Sequence, residues 1–376
     1  MKKIAILTWL HNGNYGSILQ AYALQNYLRN EGYAINNIDL NPSILEKVKN
    51  CIQQGNPLIS LVKEKLNAAK SKKYCPNAHA LALKEDKFQN FIKNNFSLTR
   101  KYRRFSELKE LIGEYDAYIC GSDQVWSPML LSPSYYLDFL PASTKKISYA
   151  CSFGMSLIPK QKKGRIGKWL EQFYAISVRE NAGVDIVRSL TNKKCTTTVD
   201  PTMLLSSSDW SLIVDENPIV KERYLLCYFL SYHPDQWQKA VSIAKMRNLK
   251  VIVIPTTKES YGYGDQVLCD VGPEDWINLI KNAEFVATDS FHGCVFSILY
   301  HRQFCVFKRF ADGSKLSQNS RVYTLLSTYG LESCLVENIE DFQPMLIEST
   351  AYEKVDVTLL KKVEESKKWI LNAIEL

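Results

Sequence analysis

The sequence has ten cysteines but no CxxC pair and no cysteine–histidine spacing of the kind that binds zinc. The cysteines are single and scattered, and several lie in apolar runs, where a thiol behaves as a small hydrophobic side chain. This distribution argues against a disulfide scaffold or a metal module. It favours a reduced, cytoplasmic protein.

Long apolar runs, internal repeats and low-complexity tracts are also missing. The longest apolar stretch, near residues 224–230, is far too short to span a bilayer. Residues 1–10 imitate a signal peptide, but they continue into polar residues 11–14 without a small-residue cleavage site. We therefore predict that they form the first β-strand.

Acidic charge is in the minority, because 47 Lys and Arg residues stand against 39 Asp and Glu residues, which gives a net charge of +8. Such an excess favours anionic ligands or an anionic membrane face. No nucleic-acid-binding signature occurs, so nucleic acid is not a predicted partner. The densest basic cluster, residues 100–104, is a candidate for peripheral membrane contact, with ordinary solvated surface as the alternative.

What is present is an alternation of apolar strands and amphipathic helices, in a chain longer than one hydrophobic core usually holds. We predict an α/β protein with an N-terminal Rossmann-like domain, residues 1–205, and a C-terminal Rossmann-like domain, residues 206–376. The last helix, predicted from Val357 to Ile374, would pack back on the N-terminal domain. Residues 43–95 are predicted to be largely helical, with apolar positions that include Leu58, Leu61, Val62 and Leu66.

Polar residues follow several predicted strands at the point where each strand ends, in residues 11–16, 121–126, 179–181 and 200–201. The carboxyl ends of parallel strands meet at one edge of a sheet, where helix N-termini favour anions. His292 lies at a similar junction between a strand and a buried helix. It could bind an anion or move a proton near neutral pH, or it could only cap the helix.

Four motifs occur in order along the chain: NYGSILQAYALQ at residues 14–25, DAYICGSDQVW at 116–126, ISVRE at 176–180 and TDSFHG at 288–293. Together they resemble the polysaccharide pyruvyl transferase family. The resemblance implies a GT-B-like pair of Rossmann-type domains with the active-site cleft between them. It also implies transfer of the carboxyvinyl group of phosphoenolpyruvate to a sugar diol, which yields a pyruvyl ketal and phosphate in capsule, exopolysaccharide or cell-wall glycan synthesis.

The donor of such a reaction carries a carboxylate and a phosphate, so its site needs cations and a proton donor, but no metal or other cofactor is expected. His292 would act as the general acid or stabilise the leaving phosphate. Arg179 and Arg321 would hold the donor. The alternatives are an ion pair with Glu180 for Arg179 and a surface position for Arg321.

One departure from the family pattern concerns Ser290. Many members have Arg-Leu-His where this chain has Ser290-Phe-His292, and the arginine is thought to hold the donor anion. Ser290 lies in the predicted donor site but cannot supply that charge. Arg321 is the first candidate to replace it and Lys308 the second.

The acceptor side is predicted to contain five residues from the first domain: Asn14, Gly16, Ser122, Gln124 and Trp126. Asp123 would be the base that takes a proton from a sugar hydroxyl, with helix capping as the alternative. Trp126 would stack on a sugar ring unless it belongs to the core.

Two other classes of function stay open at the level of sequence. A GT-B glycosyltransferase with a nucleotide-sugar donor would have the same architecture, and a non-catalytic carbohydrate-binding protein would not need His292. The expected partners are phosphoenolpyruvate and a sugar acceptor. If the acceptor is lipid-linked, the protein would work at the inner face of the membrane.

Overall fold

The computed structural model describes residues 1–57, 77–311, 314, 317–337 and 347–376. The predicted helical positions Leu58, Leu61, Val62 and Leu66 lie outside these residues. Two sheets of six strands each follow one another along the chain. Every strand pair in both sheets is parallel.

The first sheet has the strand order β2-β1-β3-β4-β5-β6. Its strands are β1 (Lys3–Leu7), β2 (Ala34–Asn37), β3 (Ala117–Cys120), β4 (Lys146–Cys151), β5 (Ala175–Val178) and β6 (Cys195–Thr197). Helices connect the strands. A parallel sheet covered on both faces needs apolar strands, as β3 is throughout and β1 is over residues 4–7. The helices are α1 (Tyr15–Asn30), α2 (Ile44–Gln54), α3 (Ala78–Asn95), α4 (Lys160–Leu170), α5 (Asn181–Leu190) and α6 (Ser207–Ser211).

The second sheet has the order β12-β11-β10-β7-β8-β9. Its strands are β7 (Tyr224–Tyr228), β8 (Lys250–Val253), β9 (Gln266–Val267), β10 (Phe285–Thr288), β11 (Gln303–Phe307) and β12 (Leu335–Val336). The helices of this half are α7 (Pro234–Met246), α8 (Pro273–Lys281), α9 (Phe291–Leu299), α10 (Ser320–Tyr329) and α11 (Ser349–Glu375). The two sheets are thus separated along the chain by residues 198–223.

Some element bounds differ from the sequence-based expectation. The strand expected at 197–199 is β6, which ends at Thr197 because the backbone N–H of Val199 donates instead to Ser366 Oγ (3.0 Å). The last helix begins at Ser349 rather than Val357, since its first turns already bury Tyr352 and Val355. Strands β9 and β12 have two residues each, which is too short for a periodic pattern to reveal.

The two halves share one hydrophobic core. Residues of α1 such as Ile18 and Leu19 belong to the same buried cluster as Tyr228 and Trp276 of the second half. Tyr15 joins the halves most directly: its ring stacks on Trp276 with centroids 5.6 Å apart, and its hydroxyl donates to the carbonyl of Val271 (3.0 Å).

Helix α11 contributes to the cores of both halves. Tyr352 and Val355 pack in the shared cluster, whereas Ile370 and Ile374 pack against the first sheet at Ile4. The helix therefore runs from the second half to the first. No helix in the described ranges is long and apolar enough to cross a membrane.

Candidate active site

Two helix N-termini meet where the halves touch. Asn14 caps α1, its side chain accepting from the N–H of Ser17 (3.1 Å), and Ser290 caps α9 by accepting from the N–H of Gly293 (3.3 Å). The imidazole of His292 lies against the first turn of α1. A Cβ atom added to Gly16 would stand 2.0 Å from His292 Nδ1, so only glycine leaves room for the imidazole there.

His292 is almost fully buried, and its Nε2 atom points towards Asp200, with 3.5 Å between Nε2 and Oδ2. Within the described part of the chain, Nε2 has no hydrogen-bond partner of good geometry. Nε2 thus faces a carboxylate without being fixed by a hydrogen bond, so this ring nitrogen is available for proton transfer.

Arg179 links Asp200 to Asp123 of the first half. Its Nη1 donates to Asp200 Oδ2 (2.7 Å), and its Nη2 lies 3.5 Å from Asp123 Oδ1. The guanidinium carbon sits 4.4 Å from the ring centroid of Phe291, which is a cation–π contact between the halves. Burial lowers the pKa of Arg179, but the carboxylates of Asp200 and Asp123 outweigh it and raise that pKa overall.

Both aspartates are held as anions. Burial alone would raise the pKa of the Asp200 carboxyl, but the neighbouring His292 and Arg179 bring it well below its usual range. Burial would also raise the pKa of the Asp123 carboxyl, but the charges of Arg179 and His292 outweigh it and lower that pKa. Asp123 Oδ1 also accepts from the N–H of Gln124 (2.8 Å), and its Oδ2 accepts from the hydroxyl of Ser17. Asp123 therefore has little free lone-pair capacity for taking a proton.

Arg321 is a second buried arginine and lies in the first turn of α10. Its Nη2 donates to Gln318 Oε1 (3.1 Å). With the Gln124 amide turned so that both of its ends are satisfied, the Gln124 oxygen accepts from Nη1 (2.6 Å) and Nη2 (2.8 Å) of Arg321. Burial and the positive charge of Arg179 lower the pKa of Arg321 to about 9. Among the described residues, the side chains that accept hydrogen bonds from this cation are neutral amides, and the charges of Glu180 and Asp123 only partly offset the effect of burial on its pKa.

The two arginines line one cavity of about 190 Å³ between the halves. Asp200 and Phe291 lie on its wall. The side formed by the end of β6, the residue after it and α11 contains Thr197, Thr198, Lys362 and Ser366. Lys308 lies nearby, where it lines with Arg309 and Arg321 a separate cavity of about 10 Å³, the size of a single water.

The remaining predicted residues have structural positions. Ser290 serves as the cap of α9, and Ser122 is fully buried, its hydroxyl donating to the carbonyl of Ala150 (2.7 Å). Trp126 is also fully buried, with its ring stacked on Tyr136 and its indole N–H donating to the carbonyl of Tyr135 (2.9 Å). This position corrects the expectation that Trp126 stacks on a sugar, because no ring face is exposed.

Glu180 and Asp200 were not predicted as site residues. Glu180 was considered only as an ion-pair partner of Arg179, but its Oε1 accepts instead from Ser152 Oγ (2.8 Å), and burial raises the pKa of its carboxyl. Asp200 lies directly before Pro201, in one of the polar segments that follow predicted strands, and this position was the sequence feature that could have indicated a site residue. In the described ranges, no group of three His, Cys, Asp or Glu side chains could hold a metal ion.

The candidate membrane patch at residues 100–104 is partly neutralised by its neighbours. Arg100 pairs with Glu110, and Arg104 Nη2 lies 3.0 Å from Glu107 Oε1. Exposed pairs of this kind leave less net charge for an anionic surface than the sequence suggested.

The family model described as polysaccharide pyruvyl transferase matches residues 14–309. The chain belongs to the polysaccharide pyruvyl transferase family. All four sequence motifs and the site residues Arg179 and His292 fall inside the matched range, whereas Arg321 lies beyond it. Membership makes the protein a transferase, and a sugar or polysaccharide is a plausible acceptor for a member of this family.

Solved structures show the fold of this family member. S. aureus MnaA, in a co-structure with UDP, is 10% identical, with 98% of this chain and 91% of that chain covered and a TM-score of 0.50. MurG from Acinetobacter baumannii is 8% identical, with 99% of both chains covered and a TM-score of 0.44. At such identity the similarity concerns the fold alone. The similarity to MnaA, together with the two parallel six-stranded sheets, establishes the two-domain, Rossmann-like GT-B architecture. A comparison with curated proteins gave no significant match.

Proposed function

We propose that this protein transfers the carboxyvinyl group of phosphoenolpyruvate to two hydroxyls of a sugar and so forms a pyruvyl ketal in the synthesis of a surface polysaccharide. The observation that carries the proposal is Arg321. The side-chain hydrogen bonds described for this buried guanidinium go to neutral amides, and the charges of Glu180 and Asp123 only partly offset its burial. Such a cation is costly unless an anion joins it. Arg179 lies in the same cavity, so an anionic donor would meet two fixed, planar cations.

The size of the cavity favours a small donor. Pockets that enclose drug-sized ligands usually measure roughly 300–1,000 Å³. The cavity between the arginines, at about 190 Å³, suits a small dianion better than a nucleotide sugar. The alternative of a nucleotide-sugar donor has no comparable supporting observation.

The reaction requires that one proton reach C3 of phosphoenolpyruvate, which makes C2 electrophilic. One sugar hydroxyl then forms a bond to C2, the C2–O bond to phosphate breaks, and a second hydroxyl closes the ketal. The two hydroxyl protons end on C3 and on the released phosphate, so no further reactant is needed. His292, which faces Asp200, is the group that we assign to move these protons. Asp123, whose oxygens are already engaged by Ser17, Gln124 and Arg179, is assigned to position Arg179.

Phosphate release from phosphoenolpyruvate in the presence of sugar acceptors tests this assignment. His292→Gln should lower kcat by about 10²–10⁴-fold, the usual contribution of a general acid or base. Arg321→Ala should raise the KM for phosphoenolpyruvate about tenfold or more, since a hydrogen bond to a charged group contributes about 1.5–3 kcal/mol. The matched controls are His79→Ala and Arg103→Ala, which change exposed residues of the same types.

Thermal unfolding separates this function from its alternatives. Phosphoenolpyruvate at 100 times its Kd should stabilise the wild type by about 2.7 kcal/mol, and Arg321→Ala should lose that shift. A shift produced by UDP-sugars and not by phosphoenolpyruvate would instead identify a glycosyltransferase. Binding of sugars without release of phosphate would identify a non-catalytic relative.

A further inference from the structure

A second, larger cavity lies over the edge of the first sheet. It measures about 410 Å³ and is formed by β5, the turn before β6, β6 itself and α11. We call it the edge groove and define it by Tyr174, Lys193, Lys194, Thr196 and Trp369. Neither the sequence motifs nor the proposed transfer site includes any of these residues.

The edge groove combines flat aromatic rings with polar and cationic groups. Tyr174 is 50% exposed as a residue, and Lys145 Nζ lies 5.0 Å from its ring centroid. The ring of Trp369 is partly buried. Rings of this kind offer an apolar face to the C–H groups of a sugar, while lysines and a threonine hydroxyl can bind its oxygens.

Strand β6 adds backbone hydrogen-bonding groups to this wall. It is the last strand of its sheet and pairs only with β5. The outer N–H and C=O groups of such an edge strand have no strand partner, so they can bind hydroxyls of a ligand that lies beside them. Thr196 and Thr197 are both exposed along this edge.

The edge groove adjoins the cavity between the arginines along the same two elements. Cys195 and Thr196 of β6 line the groove, whereas Thr197 at the end of β6 and the next residue, Thr198, line the arginine cavity. On α11, Trp369 lines the groove, and Lys362, Glu365 and Ser366 line the arginine cavity. Residues with these spacings lie on one face of a helix, so a single face of α11 borders both spaces.

We propose that the edge groove binds the saccharide units of the acceptor that lie behind the sugar to be modified. The ligand is an oligosaccharide or polysaccharide chain, with an acidic substituent facing Lys193 and Lys194. This inference rests on the proposed transfer reaction, because it takes the arginine cavity as the place where the chain receives its ketal. A bound saccharide that runs along β6 and the residue on either side of it, from Thr198 to Lys194, covers four residue steps of roughly 3.3 Å each, or about 13 Å.

The test compares long and short acceptors. Methyl glycosides of galactose, glucose and N-acetylmannosamine are compared with hexasaccharides of the same sugars, each hexasaccharide with and without one carboxylated unit. Binding is measured by calorimetry without donor, and turnover is measured as phosphate released from phosphoenolpyruvate. We expect at least one hexasaccharide to bind ten times more tightly than its methyl glycoside. Tyr174→Ala should remove that advantage, and Lys194→Ala should remove the preference for the carboxylated form.

The control variant is Lys101→Ala, which removes an exposed lysine far from the groove in the sequence. Tyr174→Ala should leave kcat/KM for the methyl glycosides unchanged, because it touches only the part of the acceptor behind the reacting sugar. The inference is overturned if no hexasaccharide binds the wild type, or if the two groove variants bind them as Lys101→Ala does. Binding that follows the prediction without any phosphate release would leave the groove in place and refute the proposed reaction.

Discussion

At the scale of single residues, Asp200 determines the electrostatics of the candidate site. It receives Arg179 Nη1 at 2.7 Å and stands 3.5 Å from His292 Nε2, and its side chain is fully buried. A neutral residue at this position would leave Arg179 with the more distant Asp123 as its acidic partner. Removing one partner of a buried ion pair costs about 3–5 kcal/mol.

Asp200→Asn should therefore lower the free energy of unfolding by about 3–5 kcal/mol at neutral pH. The pKa of Asp200 is lowered in the folded state, so its stabilising effect is complete above the unfolded pKa of about 3.9 and is lost only as pH falls through the folded value. With both proteins carrying His292→Gln, so that no neighbouring imidazole changes its charge, the difference that Asp200→Asn makes in urea unfolding should thus stay constant from pH 8 to pH 5.

The control for this measurement is Asp86→Asn, an exposed aspartate for which the expected change is within about 0.5 kcal/mol. A difference for Asp200→Asn that shrinks between pH 8 and pH 5 would show that the carboxyl titrates there. The two cations would then not hold it as an anion.

At the scale of elements, the active site is built where helices α1 and α9 begin. Two residues separate α9 from β10, α1 begins after the loop of residues 8–14 that follows β1, and both have a side-chain cap, Asn14 and Ser290. Apolar runs followed by small polar residues predict such junctions, so the sequence located His292 and Arg179 at strand ends but gave no such position for Arg321.

The local sequence pattern could not predict which of these strand–helix junctions contact each other. Gly16 and His292 meet only because the two halves share a core, and nothing in either motif specifies which glycine faces which histidine. Trp126 shows the same limit, since burial depends on Tyr136 and Phe173 packing around it. Asp200 was visible as a polar strand end, but its contact with Arg179 depends on the order of β5 and β6 in the sheet.

The contact between the two helices gives a prediction for Gly16→Ala. The new methyl group would meet His292 at 2.0 Å, so the imidazole must move while the fold persists. A displacement of about 1 Å at a reacting group can cost about 10²-fold, and we expect kcat to fall by about that factor. The loss should vanish in the His292→Gln background, where there is no imidazole to displace.

Gly164→Ala is the matched control, because this helical glycine has nothing within 4 Å of an added Cβ. It should leave kcat unchanged and stabilise the fold by up to about 1 kcal/mol, the helix preference of alanine over glycine. Equal losses of kcat for Gly16→Ala in both backgrounds would mean that the glycine acts independently of His292.

At the scale of the whole molecule, helix α11 joins the halves that form the cleft. Its first turns bury Tyr352 in the shared core, and its end buries Ile370 and Ile374 against the first sheet. The same helix forms one wall of the arginine cavity through Ser366, whose hydroxyl accepts from the N–H of Val199 (3.0 Å). Docking of this helix therefore stabilises the first half and shapes the cleft at once.

Ile370→Ala should accordingly lower the free energy of unfolding by about 2–5 kcal/mol, as expected for truncating a fully buried isoleucine. Leu360→Ala, on the same helix but 67% exposed, should change it by less than about 0.5 kcal/mol. The stability of the two variants is measured by urea unfolding, followed by both tryptophan fluorescence and circular dichroism. Because the halves share a core, the two signals should change at the same urea concentration. Equally small effects of the two substitutions would mean that the end of α11 is not docked on the first sheet, and the wall of the cleft would then have to be formed by other residues.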